Sequence, residues 1–116
     1  METLIAALQE QFGSAHVLAQ PEQLTAFSRD ALRPHRGFAE MLQVAQPPLA
    51  IVQPRSTEEI VRLVAFARKH NIPLVPYGGG SGLMGGALSI RPSIVVDMKG
   101  MDRIVEVDRQ SMTVRV

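Results

Sequence analysis

Apolar positions at the start of the chain recur at helical spacing. Leu4, Ile5, Leu8 and Phe12, closed by Gly13, predict a helix over residues 2–12. Pro21 opens a second, short helix that uses Leu24 and Phe27. From Ser28 to Gln46 the period is lost in a polar stretch holding Arg29, Asp30, Arg33, His35 and Arg36. Pro47-Pro48 closes that stretch as a stiff hinge. A boundary is drawn there, with residues 1–46 as a helical extension and residues 47–116 as the main unit.

Past the hinge the pattern changes. Leu49-Ala50-Ile51-Val52 is a continuous apolar run ended by Pro54, as expected of a buried strand. Ser56 and Glu59 stand at capping-box spacing, predicting a helix with Ile60, Val64 and Ala67 on one face and Val61 beside them. Arg68 and Lys69 suit its negative end, and Asn71 suits a left-handed stop. Leu74 to Tyr77 forms the next strand, so residues 49–77 make one β-α-β unit with a right-handed crossover. Ser93 to Asp97 is a further strand, and Met98 to Asp102 turns the chain. Residues 104–107 and 112–116 alternate as a hairpin around Asp108-Arg109-Gln110-Ser111. Val116 ends the chain in mid-strand without a polar tail, so the chain is expected to be a fragment. The pattern predicts an α+β unit containing an α/β-type lobe.

Composition removes several function classes. At 116 residues the chain holds at most one domain. It has no cysteine, which excludes disulfides, thiolate nucleophiles and cysteine-ligated metal within it. A net charge of +1, with 4% aromatic residues, gives no basic patch interleaved with aromatics for nucleic acid. The start Met1-Glu2-Thr3 lacks the basic and apolar regions of a secretory signal, and no apolar run approaches a bilayer span. A cytoplasmic location is expected, with peripheral attachment to an inner membrane left open.

The chemistry is concentrated after the strand at Leu74–Tyr77. Six of the nine glycines fall within residues 78–86, in the run Pro76-Tyr77-Gly78-Gly79-Gly80-Ser81-Gly82-Leu83-Met84-Gly85-Gly86. Glycine is entropically costly to order, so such density points to a backbone that must lie against a partner. Consecutive amides free of side chains form a concave, partly positive cradle for an anion. A glycine turn at the carboxyl end of a strand is where nucleotide pyrophosphates sit. A P-loop reading fails, because Gly86-Ala87 follows where a lysine and a hydroxyl residue are required. A nicotinamide-dinucleotide reading has Gly80, Gly82 and Gly85 in the G-x-G-x-x-G pattern with Asp97 beyond. It needs a helix after the loop, and the six residues from Ala87 to Pro92 are too few for a crossover.

A third reading fits the whole stretch. Pro48 to Pro54, Ser56 with Glu58-Glu59-Ile60, Ile72 to Gly82, Gly85-Gly86-Ala87, Ile94 to Asp97, Met101 to Ile104 and Val107-Asp108 follow one another in family order. In these blocks the sequence resembles the first lobe of the FAD-binding domain of the vanillyl-alcohol oxidase and p-cresol methylhydroxylase superfamily (PCMH-type). The nearest likeness is to its D-lactate, glycolate and D-2-hydroxyglutarate dehydrogenase branch. Residues 14–36, with Ser28-Arg29-Asp30, look like the run-in of that branch.

The resemblance implies that Pro76, Tyr77, Gly78, Gly79, Gly80, Ser81 and Gly82 wrap the FAD pyrophosphate. It also sets Pro54 on the adenine side and uses Gly85-Gly86 to turn the chain beneath the cofactor. Covalent members often carry a histidine where Ser81 stands, so FAD is expected to be non-covalent here. The family often carries arginine where Tyr77 stands, and tyrosine removes that charge. The implied function is FAD binding at the amino-terminal end of an oxidoreductase that converts a D-2-hydroxy acid to the 2-keto acid. No catalytic residue and no metal ligand is assigned within the chain, and the 116 residues alone are not expected to turn over. The remainder of the enzyme, or a partner chain, is expected to supply the second lobe and substrate cap. A stand-alone FAD module completed by a partner and an NAD(P)-binding domain are the alternatives. His16, His35 and His70 read as surface or structural, Met84, Met98 and Met101 as core or loop filler, and Arg29, Arg33 and Arg36 as solvated surface.

Overall fold

The computed structural model describes residues 2–35 and 40–116. Helix α1 spans Glu2–Phe12 and stops at Gly13, whose φ of +86° turns the chain. Strand β1 (Val17–Leu18) follows, then α2 (Pro21–Ala26) and a one-turn α3 (Met41–Val44). Strand β2 (Ala50–Val52) leads into α4 (Thr57–His70), and β3 (Leu74–Tyr77) delivers the glycine loop. Strands β4 (Ile94–Asp97), β5 (Glu106–Asp108) and β6 (Thr113–Arg115) complete the order. Most of the predicted elements form; α3, inside a stretch read as aperiodic, was not foreseen. Arg36, assigned to the solvated surface, lies outside the described residues.

The main sheet has the order β1-β2-β4-β3. Strand β1 runs antiparallel to β2, whereas β4 runs parallel to both β2 and β3. The β-α-β unit over residues 49–77 is therefore not a pair of adjacent strands: β4, which comes later, lies between them. Both faces of this sheet are covered. On one, Leu8 and Phe12 of α1 and Leu63 and Phe66 of α4 pack with Val17, Ala50, Val52, Ile94 and Val96. On the other, Ile51, Tyr77 and Val95 meet Leu18, Leu24, Phe27, Val75 and Ala87. Burial on both faces explains why β2 and β4 read as unbroken apolar runs. Packing is continuous across Pro47-Pro48, because α1 and β1 contribute to the same core as β2 and β4.

Helix α4 corrects two expectations. Its buried residues are Glu59, Leu63, Phe66 and Ala67, while Val61 and Val64 are 63% and 50% exposed. The face was misjudged by taking every β-branched residue as core; Leu63 and Phe66, one helical turn apart, fill the space between α4 and the sheet. The capping box is also displaced. Ser56 Oγ accepts from the Glu59 amide (3.2 Å), but the Glu59 carboxylate reaches past the cap to the Arg55 amide (2.8 Å). It also pairs with the Arg55 guanidinium at 3.0 Å. The Arg55 amide, then its guanidinium, hold the Glu59 carboxyl below the usual carboxylate range, against the opposing effect of burial. Asn71 stops the helix as expected, in the left-handed region at φ 53°.

Candidate cofactor site

The site lies at the carboxyl edge of the parallel strands. Tyr77 pairs in register with Asp97, so the root of the glycine loop stands beside the end of β4. The Tyr77 ring is buried, 4.9 Å from that of Phe27, and its hydroxyl donates to the Arg29 carbonyl at 3.1 Å. That hydroxyl also sits under Gly80, where φ is +66° and a Cβ would lie 2.1 Å from it. Gly80 is thus required twice, by its dihedral and by the phenol below it.

Gly78 and Gly79 differ. Both are exposed, and a Cβ at either would meet nothing within 4 Å. Among the described residues nothing requires glycine there, and the space it leaves is open. Among the described residues, no acceptor meets the amides of Gly79, Gly80, Ser81 or Gly82. The loop is fastened instead through its carbonyls and neighbours: Ala31 N donates to Gly82 O at 2.9 Å. Asp30 caps the same approach, with Oδ1 accepting from the Leu32 amide at 2.9 Å. Its Oδ2 is buried with no partner among the described residues and would lie 3.5 Å from a Cβ at Gly82. Gly85, at φ +81° and packed against Leu88, Leu32 and Met41, turns the chain back over the sheet.

Between Gly86 and β4 there is no helix, only turns and extended chain, so the dinucleotide-fold alternative lacks its crossover. Of the seven residues assigned from the sequence, Gly78, Gly79, Ser81 and Gly82 are exposed on the loop together with Pro76. Gly80 is half-buried and Tyr77 lies beneath, as a support rather than a wall. Pro54 is fully buried, its carbonyl 3.3 Å from where a Gly100 Cβ would stand. Met84 is 59% exposed, not core filler, because the loop carries it away from the sheet.

The sequence reading missed a polar cluster at this edge. Asp97, fully buried, accepts from Gln53 Nε2 at 2.8 Å and from the Lys99 amide at 3.2 Å, and pairs with Lys99 Nζ at 3.0 Å. The same ammonium lies 4.4 Å from the Phe27 ring centroid and 5.2 Å from that of Tyr77. Asp97 carried a signal only as an acidic residue past the glycines; nothing local marked Lys99, Gln53 or Phe27.

A glycine turn whose amides meet no acceptor among the described residues, at the carboxyl edge of a parallel sheet covered on both faces, has the geometry of an anion cradle. Residues 48–116 match the FAD binding domain family, and the chain belongs to it. FAD is its cofactor, and the fold is of the PCMH type. Glycolate oxidase subunit GlcD of Bacillus subtilis is 35% identical over 74 residues, covering 64% of this chain and 16% of that protein. D-2-hydroxyglutarate dehydrogenase of Stutzerimonas stutzeri is 30% identical over 110 residues, covering 95% of this chain and 22% of that protein. Among solved structures, an alkyldihydroxyacetonephosphate synthase superposes with a TM-score of 0.79 at 27% identity, over 98% of this chain and 22% of that one. The chain thus spans about a fifth of the length of these relatives.

Among the described residues, no helix is long and apolar enough to cross a membrane.

Proposed function

We propose that residues 76–82 hold the pyrophosphate of a non-covalently bound FAD, and that the chain is the amino-terminal cofactor lobe of a flavin-dependent oxidoreductase acting on a D-2-hydroxy acid. The observation that carries this reading is the row of amides from Gly79 to Gly82 that meet no acceptor among the described residues, beside the room that Gly78 and Gly79 leave. Amides oriented by a rigid strand stabilise a diphosphate without a charged residue in the loop. The bound flavin would supply the acceptor for the hydride lost by the hydroxy acid. This chain's residues would bind and orient it: Gly79 to Gly82 donate, Ser81 adds a hydroxyl, and Tyr77 fixes the loop from below. The glycolate and D-2-hydroxyglutarate relatives support the substrate class. The catalytic base is assigned to protein outside this chain, and a cytoplasmic location belongs to the same proposal.

In a second reading another chain completes the module, and the β5–β6 hairpin marks where added protein, from that chain or from the remainder of this one, would pack. Val107 pairs with Val114, and the register sets Val105, Val107, Val114 and Val116 on one face, each more than half exposed. Such a face suits an apolar layer laid against it.

The test is a titration of the chain with FAD followed by flavin fluorescence, then addition of D-lactate, glycolate or D-2-hydroxyglutarate without oxygen. Saturable binding with no reduction of the flavin is expected. No binding of FAD would overturn the cofactor-lobe reading, and reduction at enzyme-like rates would overturn the assignment of catalysis to protein outside the chain.

A further inference from the structure

We propose that Lys99 is the cation of the diphosphate site, reaching the phosphates from the end of β4 while the glycine loop supplies amides from the end of β3. The inference rests on the reading of residues 76–82 as the pyrophosphate cradle and adds to it a residue outside that loop. From Pro76 to Leu88 the chain contains no lysine or arginine, so the loop brings no full positive charge to a ligand carrying two negative ones.

Lys99 stands where such a charge is needed. The pairing of Tyr77 with Asp97 sets the ends of β3 and β4 side by side, and Lys99 follows two residues after Asp97. Its ammonium is held in place from several sides: by Asp97 Oδ1 at 3.0 Å and by the rings of Phe27 and Tyr77 at 4.4 and 5.2 Å. A lysine on a free stem would lose considerable side-chain entropy on meeting a ligand; this one has already been ordered. Tyr77 ties it to the cradle, since the ring beneath the ammonium carries the hydroxyl that lies under Gly80.

The competing account makes Lys99 only the counter-ion of a buried carboxylate. Burial separates the two roles. Asp97 has no solvent exposure, whereas 53% of the Lys99 side chain is open. An incoming anion therefore meets the ammonium and not the carboxylate behind it. Asp97 has two further donors in Gln53 Nε2 and the Lys99 amide, so its charge does not depend on the ammonium alone. Tyr77, which brings no charge of its own, then serves as the platform that positions one.

The experiment compares the chain with Lys99→Met, Lys99→Arg and the charge-balanced pair Asp97→Asn/Lys99→Met, titrating FAD, ADP and riboflavin at low and at high salt. Thermal unfolding of the ligand-free proteins reports any purely structural cost. Loss of the cation is expected to weaken FAD and ADP alike by about fivefold to tenfold, leave riboflavin unchanged and flatten the salt dependence. Lys99→Arg should stay within about twofold of the parent. The double variant keeps the buried site neutral and should show the same loss for the diphosphate ligands. Unchanged diphosphate affinity and salt dependence in either methionine variant, whatever its melting temperature, would overturn the role of Lys99 alone. Failure of the parent chain to bind FAD or ADP would overturn the cradle reading and this inference with it.

Discussion

Strand β4 and the β5–β6 hairpin draw on the same residue type, valine, and end in opposite environments. Every residue of β4 is buried, and every residue of β5 and β6 is exposed. Strand β4 lies between β2 and β3, with α1 and α4 on one face and the α2 segment on the other. The hairpin pairs only with itself and is held by local polar contacts. Arg115 pairs with Glu106, and Asp108 accepts from the Ser111 hydroxyl and from the amides of Gln110 and Ser111. Those contacts, the Ser111 hydroxyl first, hold the Asp108 carboxyl below its usual range. The β-branched pattern makes a strand in both places, but burial depends on what is laid against it. A two-stranded ribbon with an uncovered apolar face is marginal in water, whereas a strand inside a covered sheet is fixed from four sides.

The comparison is sharpest at Leu63, which α4 drives fully into the core under β2 and β4. Leu63→Ala is expected to destabilise the chain by about 3 kcal/mol in urea unfolding, through lost transfer energy and the cavity left behind. A cost under about 1 kcal/mol would mean that this core is loosely packed.

Gly80→Ala comes next, at about 2 kcal/mol, because the positive φ and the Tyr77 hydroxyl both oppose a Cβ. Gly79→Ala should stay within about 0.5 kcal/mol of the parent in the same assay, since nothing among the described residues meets its Cβ. If Gly79→Ala nonetheless weakens FAD binding, the space above it belongs to the ligand. Equal stability losses at the two positions would erase the distinction between the packed and open halves of the loop.

Glu59→Gln is expected to cost about 1 kcal/mol near neutral pH, by weakening the bonds to the Arg55 amide and guanidinium. The folded-state pKa of Glu59 is lowered, so its contribution is present above the unfolded-state value. It disappears as the pH falls through the folded-state value. Stability curves of parent and variant should therefore converge in acid; a constant gap across the range would assign the effect to packing. Smallest of all, Val107→Thr should change the unfolding free energy by less than about 0.5 kcal/mol, because Val107 has left little apolar surface behind to lose. A loss comparable to Leu63→Ala would show that the hairpin is covered in solution.

Much of the fold was legible because it is written over short distances. The period of Leu4, Ile5, Leu8 and Phe12, the stop at Gly13, the Ser56 cap and the left-handed Asn71 each depend on neighbours within one or two helical turns. The glycine loop was legible for the same reason. Within it, however, the sequence ranked Gly78, Gly79 and Gly80 alike, and only the folded loop separates Gly80 from the other two, by its positive φ and by the Tyr77 hydroxyl beneath it. The inner face of α4 was misread because Val61 and Val64 fit a helical apolar stripe as well as Leu63 and Phe66 do. Choosing between them requires knowing where the sheet lies.

By itself, then, the sequence determined neither β1 nor α3, but it did determine the longer helices α1 and α4 with their ends, the strand-forming stretches from β2 onward and a backbone loop suited to an anion. These follow from dihedral preference, capping and periodicity, which are settled among residues close along the chain. The tertiary structure alone decided that β4 enters between β2 and β3, and that Tyr77 lies under Gly80 with its hydroxyl on Arg29, 48 residues away. It alone brought Gln53 to Asp97 across 44 residues and set Lys99 over two rings. Such contacts join positions whose separation leaves no local trace, and they form only once burial of both sheet faces has fixed the strand order.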